Sequence, residues 1–306
     1  MPVVDRRRTT TTRIAAHLAQ RLMPLLPTPR GFRFATRRVA APETIDVPTR
    51  HGPVRCLVYR PHPEAPLAKS IGPGLPVNLH LHGGAFIVRN PRQEEYIAQY
   101  IASDVGAVVV LADYSTAPQV RYPVAEQQCF DVAKWISAEA GARGWDASRL
   151  SISGASAGAK LAVNVCQQAY RATDLPLRAA VLAFPVVDLS RDDRTSAKKR
   201  PRISPRVQRL AIDSYAADPS VRGEYLASPI FDTDLAAAMP PTLILTGEFD
   251  TLGPEGDALA ARLALRDVPV THHRFSGTDH GFTRSESDAA GIAMKYIGAH
   301  LIAHLA

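Results

Sequence analysis

Short apolar runs alternate regularly with helix-like segments along this chain, and this pattern limits the folds that it can adopt. Strand-like runs lie at 53–60, 76–82, 108–113, 150–153, 179–184, 242–246 and 270–275. Helical spacing of apolar residues marks 11–26, 124–139, 157–169, 256–265 and 287–304. Strands that alternate with helices predict βαβ units and a mainly parallel sheet. In such sheets, functional residues gather in the loops beyond the carboxyl ends of the strands.

Length and composition indicate one globular domain that spans residues 1–306. Hydrophobic residues make up 46% of the chain and charged residues 21%, which suffices for a sizeable core. We expect no membrane-spanning segment, since no apolar run approaches about 20 residues. The first residues lack the pattern of a signal peptide, and three widely spaced cysteines form neither a disulfide framework nor a zinc motif. These features predict a cytoplasmic protein.

The positive charge is concentrated in two segments. The formal net charge is +7, and residues 1–50, with ten arginines and three acidic residues, account for all of it. A second basic run occupies 191–209. Two interpretations stay open: the segments are simply solvated, or they form a basic face for anionic substrates or a peripheral anionic surface. No nucleic-acid-binding motif accompanies them, so we predict no nucleic-acid partner.

The stretch GASAG at 154–158 follows a strand-like run and precedes a helical one. On a sharp strand-to-helix turn of this kind, a serine exposes its hydroxyl, and glycines such as Gly154 and Gly158 relieve clashes. A plain tight turn that needs glycine is the other interpretation of these five residues. Ser156 is therefore a candidate nucleophile that requires support from elsewhere in the chain.

A serine nucleophile needs a base and a third group that orients the base, in the chain order acid, then histidine. Asp250 follows the strand predicted at 242–246, and His280 follows the strand predicted at 270–275. Both residues, like Ser156, come just past the carboxyl end of a strand. This agreement predicts that the three side chains meet, although a core-packing role for His280 is the alternative.

Acyl transfer also needs hydrogen-bond donors for the oxyanion. The strand predicted at 76–82 ends in a glycine-rich turn, so we expect the backbone N–H groups of Gly83, Gly84 and Ala85 to point into the site. The N–H of Ala157, directly after the candidate nucleophile, is the expected further donor.

Two histidine pairs raise the question of a metal. His80 and His82 share one face of a predicted strand, but we expect glycines rather than carboxylates beside them. His300 and His304 lie one turn apart on the last helix, with no other ligands nearby in the sequence. We therefore predict no metal and no cofactor.

Together these motifs resemble the hormone-sensitive lipase family of α/β-hydrolase esterases, which includes bacterial carboxylesterases. The resemblance covers about residues 50–306. The matching segments are HGGA at 82–85, DYSTAP at 113–118, YP at 122–123, GASAGA at 154–159, EFDTL at 248–252 and HGF at 280–282. It implies an α/β-hydrolase fold: a mostly parallel central sheet flanked by helices, with a helical cap formed by about residues 1–45 and 188–226.

Three positions depart from the family pattern. Ala85 replaces a third glycine, so its N–H remains available only where the backbone angles suit alanine. Ala155 replaces the usual aspartate before the nucleophile, which removes any positioning by that carboxylate. Ala159 replaces another glycine and is expected to shift the helix against the sheet. None of the three removes a member of the predicted Ser-His-Asp set.

The sequence thus predicts a serine carboxylic-ester hydrolase that acts on small-molecule esters with short to medium acyl chains, through an acyl-enzyme intermediate. We expect a monomer or a homodimer. An amidase, a lactonase or an N-acetyl hydrolase would use the same residues. A non-catalytic small-molecule receptor is a further alternative, but receptors of this family lack the histidine base that His280 supplies here.

Overall fold

A computed structural model describes residues 6–22, 34–70, 72–172 and 175–306, with side chains from residue 11 onward. Its centre is an eight-stranded sheet. The strands are β1 (Glu43–Val47), β2 (Val54–Tyr59), β3 (Leu75–Leu81), β4 (Val108–Ala112), β5 (Trp145–Ala155), β6 (Ala179–Ala183), β7 (Thr242–Gly247) and β8 (Val270–Phe275).

The strands follow the order β1-β2-β4-β3-β5-β6-β7-β8 across the sheet. β1 pairs antiparallel with β2, and β2 pairs antiparallel with β4, while every other neighbouring pair is parallel. The prediction of a mainly parallel sheet is confirmed. As a result, the loops that follow β3, β5, β7 and β8 all leave the sheet at the same edge.

Helices cover both faces of this sheet. The described α-helices are α1 (Arg6–Leu22), α2 (Glu95–Tyr100), α3 (Val124–Glu139), α4 (Ala157–Ala172), α5 (Pro205–Tyr215), α6 (Leu235–Ala238), α7 (Gly253–Ala264) and α8 (Asp288–Leu305). Along β4, Val108 and Val110 join the core with α3, α4 and α7, whereas Val109 and Leu111 join the core with α2 and α8. Side chains alternate between the two faces of a strand, so this continuous apolar run is buried on both sides. Within the described ranges, no helix is both long and apolar enough to cross a membrane.

The periodicity located most elements but not all of them. The strand expected at 150–153 is the second half of β5, whose first half reads as a loop because it is polar. Those polar groups bond one another, since Nε of Arg149 donates to Oδ2 of Asp146 at 2.7 Å. β1, α2, α5 and α6 were not anticipated. The helix expected at 11–26 corresponds to α1, and its last residues, 23–26, lie outside the described part of the chain.

The two segments predicted to form a cap meet where α1 packs against α5. Nε2 of Gln20 in α1 donates to the backbone oxygens of Ile87, at 2.9 Å, and Ala117, at 2.7 Å, which fixes α1 beside the loop after β3. The boundary near residue 45 needs correction, because residues 43–45 already pair with β2 as the start of β1. That these segments act as a cap stays a prediction.

Candidate active site

Three side chains from the ends of different strands meet at the carboxyl edge of the sheet. Nε2 of His280 lies 2.8 Å from Oγ of Ser156, and Nδ1 of His280 lies 2.8 Å from Oδ2 of Asp250. A carboxylate only accepts hydrogen bonds, so Nδ1 carries the ring proton and Nε2 offers a lone pair to the serine hydroxyl. The ring is therefore arranged to take a proton from Ser156.

Ser156 sits on the turn between β5 and α4, as the sequence predicts for residues 154–158. Its backbone adopts a positive φ of 55°, and its N–H donates to the carbonyl oxygen of Ala183 at 2.8 Å. The carbonyl of Ser156 in turn accepts from the N–H of Lys160 at 3.2 Å. The turn is thus tied to both β6 and the first turn of α4.

Close backbone approach explains the two glycines of this turn. A Cβ atom on Gly158 would lie 1.9 Å from the carbonyl oxygen of Leu81, and one on Gly154 would lie 2.3 Å from the carbonyl oxygen of Gly158. Both distances are far below van der Waals contact. The two glycines therefore let β3, β5 and the start of α4 pack without a gap.

Strained backbone is concentrated around the same side chains. Five non-glycine residues of the described chain have positive φ: Ala85, Phe86, Ser156, Phe184 and Asp267. The first three line one pocket, and Phe184 packs edge-on against the ring of His280 with centroids 5.1 Å apart. Strain of this kind persists only where the surroundings hold it, and it clusters at functional sites.

The turn after β3 contains the predicted oxyanion donors. Ala85 has a φ of 53°, so the alanine that replaces a family glycine does occupy the left-handed region. The N–H of Gly83 is already engaged by the carboxylate of Glu94, 3.1 Å from each oxygen. The N–H groups of Gly84, Ala85 and Ala157, by contrast, donate to no group within the described residues.

Glu94 is a buried carboxylate that the sequence does not reveal, because it lies in the polar segment PRQEEY, which is typical of a surface. Its Oε2 also lies 3.2 Å from Nε2 of His80. This corrects the expectation that no carboxylate stands beside His80 and His82. Among the described residues, no three or more His, Cys, Asp or Glu side chains are grouped to hold a metal ion.

His82 shapes the turn from within. Burial lowers its pKa, so its ring is neutral at physiological pH. Nδ1 lies 2.6 Å from the carbonyl oxygen of Gly83, and the ring stacks on Tyr114 with centroids 4.3 Å apart. The hydroxyl of Tyr114 donates to the carbonyl oxygen of His82 at 2.5 Å. These contacts fix the backbone of the turn.

An open pocket adjoins Ser156. Most of its lining comes from residues 186–212, and all of this segment from residue 188 onward falls within the predicted cap, for which the sequence predicted no pocket. The apolar lining residues are Ala85, Phe86, Ala157, Val186, Leu189, Ile203, Val207, Ala211, Ile212 and Leu252. The polar lining residues Arg194 and Gln208 bond each other and their neighbours; for example, Nε2 of Gln208 donates to the carbonyl oxygen of Arg194 at 2.9 Å.

The basic segment 191–209 contacts the loop that carries His280. Nζ of Lys198 lies 2.9 Å from Oδ2 of Asp279, and the guanidinium of Arg202 donates to the carbonyl oxygen of His280 at 3.2 Å. Burial alone would raise the pKa of Asp279, but the hydrogen bonds from Lys198 and from two backbone N–H groups hold it below its usual range. This segment therefore borders the site.

Comparison with known proteins identifies the family of this chain. A protein family described as having the alpha/beta hydrolase fold matches this chain over residues 78–284. The chain is 30% identical over 228 residues to an arylesterase of Saccharolobus solfataricus, covering 73% of each protein. It is 31% identical over 249 residues to an ethyl acetate hydrolase of Pseudomonas putida, covering 79% of this chain and 76% of that relative.

Solved structures give the same result. A hyperthermophilic esterase from the archaeon Pyrobaculum calidifontis has a TM-score of 0.80 at 27% identity, covering 96% of this chain and 91% of its own. A thermophilic carboxylesterase cloned from a metagenomic library has a TM-score of 0.81 at 24% identity over 97% of this chain and 98% of its own, which supports the fold alone. The chain therefore belongs to the α/β-hydrolase family, among the carboxylesterase-type hydrolases that resemble hormone-sensitive lipase.

Proposed function

We propose that this protein is a serine hydrolase of small-molecule carboxylic esters with short to medium acyl chains. The observation that carries the proposal is the pair of 2.8 Å contacts that join Ser156, His280 and Asp250 in series. A serine hydroxyl is a weak nucleophile, and this arrangement supplies the base and the orienting acid that it needs.

In the proposed reaction, Oγ of Ser156 attacks the ester carbonyl while Nε2 of His280 removes the hydroxyl proton. The tetrahedral intermediate collapses, the ester C–O bond breaks, and His280 protonates the leaving alcohol. Water, deprotonated by the same nitrogen, then attacks the acyl-serine. The bond between the acyl carbon and Oγ breaks, His280 returns the proton to Oγ of Ser156, and the carboxylic acid leaves. Asp250 keeps the Nδ1–H tautomer in place and stabilises the imidazolium that forms at each step. This chemistry requires no metal and no cofactor.

The negative charge of the intermediate needs donors that are free before substrate arrives. The N–H groups of Gly84, Ala85 and Ala157 meet this requirement, whereas the N–H of Gly83 is taken by Glu94. We therefore assign the first three as oxyanion donors and Gly83 as a residue that holds the turn. The N-terminus of α4, which begins at Ala157, also favours negative charge at this point.

The pocket supports the proposed substrate class. Its wall beside Ser156 is apolar, which suits the hydrocarbon part of an acyl or aryl group. Its polar members Arg194 and Gln208 already bond protein groups. Relatives named as an arylesterase and an ethyl acetate hydrolase likewise point to small esters.

A chain-length series of p-nitrophenyl esters tests the proposal. Rates on acyl chains of about two to eight carbons should exceed those on about sixteen, since the apolar wall beside Ser156 suits a small hydrocarbon group. Ser156→Ala should lower kcat by several orders of magnitude without loss of stability. A variant that kept even a tenth of the activity would show that Ser156 is not the nucleophile. Matched amide substrates should react far more slowly than the esters.

We also propose a reducing, cytoplasmic setting and a monomeric or homodimeric state. The support is chemical: Cys56, Cys129 and Cys166 are buried free thiols, and burial raises the pKa of each. Buried thiols of this kind are unreactive, and all three are free. Titration of three thiols after denaturation, together with light scattering at micromolar concentration, tests both statements.

A further inference from the structure

A buried polar cluster begins at Lys160, whose N–H donates to the carbonyl oxygen of Ser156, and it takes no part in the proposed proton transfers. It consists of Glu126, Lys160 and Tyr215, each of which is at most 1% exposed. Nζ of Lys160 is hydrogen-bonded to Oε1 of Glu126, and the hydroxyl of Tyr215 donates to Oε2 of Glu126 at 2.6 Å. We refer to these three residues as the ion-pair cluster.

The ion-pair cluster joins three parts of the site. Lys160 lies one turn after Ser156 in α4, Glu126 lies in α3, and Tyr215 ends α5. Nζ of Lys160 is also 5.6 Å from the centroids of three aromatic rings, those of Phe86, Tyr122 and Tyr215. A cation near the faces of aromatic rings attracts them. The ammonium group is thus a shared contact for α4, α5 and the turn after β3.

Phe86 connects the cluster to the proposed oxyanion donors. It directly follows Ala85, and both residues have positive φ, 53° for Ala85 and 60° for Phe86. The Phe86 ring stacks on Tyr215 with centroids 4.3 Å apart and an interplanar angle of 8°. A strained turn persists only where its surroundings hold it, and the stack of Phe86 on Tyr215 holds the turn at Ala85 and Phe86. Any shift of Tyr215 therefore moves the side chain beside Ala85.

Stability alone does not account for a charged pair at this place. Two buried ions lose their hydration, and apolar residues of similar volume are often as stable or more so. Hydrogen bonds between charged groups fix the orientation of the side chains that make them, whereas apolar contacts do not. We propose that Glu126, Lys160 and Tyr215 are positioning residues that set the oxyanion turn at Ala85 and Phe86 relative to Ser156. This inference rests on the proposed ester hydrolysis and extends it.

The decisive variant replaces the pair by apolar residues, Glu126→Leu with Lys160→Met. We expect thermal unfolding a few degrees below that of the parent, because the buried charges leave together and only the Tyr215 hydroxyl loses its acceptor. We expect kcat on p-nitrophenyl butyrate to fall roughly tenfold to a hundredfold, as misplaced oxyanion donors would cause, with KM within about twofold. Affinity for a trifluoromethyl ketone, which forms a tetrahedral adduct with serine, should fall in parallel with kcat.

A milder variant covers the case in which the double variant does not fold. Tyr215→Phe keeps the stacked ring and removes only the hydroxyl bond to Glu126, so kcat should fall while KM stays constant. The matched control is Tyr59→Phe, since Tyr59 is 1% exposed and its hydroxyl donates to Glu95, outside the ion-pair cluster, at the same distance of 2.6 Å. This control should lose no activity.

The outcomes separate the two proposals. A stable double variant with parental kcat, or a loss on Tyr215→Phe matched by Tyr59→Phe, would show that the cluster is only structural. If the double variant does not fold, a parental kcat in Tyr215→Phe would likewise show that the cluster is only structural. A parent protein that hydrolyses no ester would instead overturn the proposed function, and the positioning role with it.

Discussion

Oδ2 of Asp250 lies 2.8 Å from Nδ1 of His280, although 30 residues separate them in the chain. Asp279, the residue directly before His280, does not compete for the ring. Its carboxylate accepts from Nζ of Lys198 at 2.9 Å and from the backbone N–H of His280 at 2.7 Å. Asp250, which follows β7, is thus the acid that bonds the imidazole of His280. Asp279, the neighbour of His280 in sequence, instead holds the loop that carries His280.

This arrangement predicts different results for the two aspartates. Asp250→Asn should lower kcat by several orders of magnitude without unfolding the protein, because the neutral amide no longer favours the Nδ1–H tautomer. Asp279→Asn, as the matched control, should keep kcat within about tenfold, since it leaves the imidazole's own partner in place. Ester hydrolysis and circular dichroism measure both. A fully active Asp250→Asn beside an inactive Asp279→Asn would reverse the assignment.

The close approach at Gly158 predicts a loss of stability on adding a methyl group. Gly158→Ala should destabilise the protein by about 1–3 kcal/mol or more, because its Cβ would overlap the carbonyl oxygen of Leu81. Gly141→Ala is the matched control, since a Cβ there meets nothing within 4 Å. It should be neutral or stabilising. Urea unfolding of the two variants compares them, and equal midpoints would contradict the packing described here.

The backbone conformation of Ala85 leads to a prediction about the turn after β3. Its φ of 53° lies where a Cβ costs about 1–2 kcal/mol, whereas glycine avoids that cost but loses more backbone entropy on folding. Ala85→Gly should therefore keep both kcat and stability close to the parent. Ala85→Val should lower kcat, because a β-branched residue disfavours this region. Kinetics and thermal unfolding of both variants test this, and a Val variant as active as the parent would exclude a strained turn.

The sequence predicted the parts of the site that local rules govern. Ser156, Asp250 and His280 each follow a strand, and parallel strands bring their carboxyl ends to one edge. The glycine turn after β3 followed from the same rule. These residues were predictable because chain order and strand direction place them, with no need to know how any helix packs.

The supporting residues were not predictable for a physical reason. Glu94, Glu126 and Lys160 are charged residues whose sequence neighbourhoods give no sign of burial, and charged residues are rarely buried unless paired. Their partners are not sequence neighbours: Lys160 and Glu126 are 34 residues apart, and Glu94 and Gly83 are 11 residues apart. Only the folded chain brings such pairs together, so single-sequence patterns cannot identify them.

The lowered pKa of His300 predicts that the free energy of unfolding depends on pH. Burial first, and then the neighbouring His304, lower its pKa from 6.5 to about 4. The unfolded chain therefore binds a proton at this site that the folded protein does not, between these two pH values. Stability from this group is present above pH 6.5 and is lost as pH falls toward 4, by at most about 1.4 kcal/mol per pH unit.

The variant His300→Gln removes the titrating group and keeps a donor for the carbonyl oxygen of Pro241, which lies 3.2 Å from Nε2 of His300. Urea unfolding at about pH 7.5 and pH 5 should show a smaller acid-induced loss in this variant than in the parent. An equal loss in both proteins would exclude His300 as the source.

The last prediction concerns the basic segment 191–209, which contacts the His280 loop through Lys198 and Arg202. Lys199 and Arg200, between these anchors, are exposed. Positive charge at the border of a site raises the local concentration of anionic substrates, and salt screens it over roughly 8 Å at physiological strength. For an anionic ester, kcat/KM should therefore be highest at low salt and fall as salt is added.

Reversing Lys199→Glu and Arg200→Glu should flatten that salt dependence, while Lys198 keeps its bond to Asp279 and the His280 loop stays in place. The matched control is Arg178→Glu with Arg266→Glu, two exposed arginines that precede β6 and β8 and so lie toward the opposite edge of the sheet. This control should keep the parental salt slope, and a neutral ester should show little slope in all three proteins. Equal slopes for the anionic and the neutral ester in the parent would mean that the segment is simply solvated, because exposed charges away from the path of the substrate do not change its encounter rate.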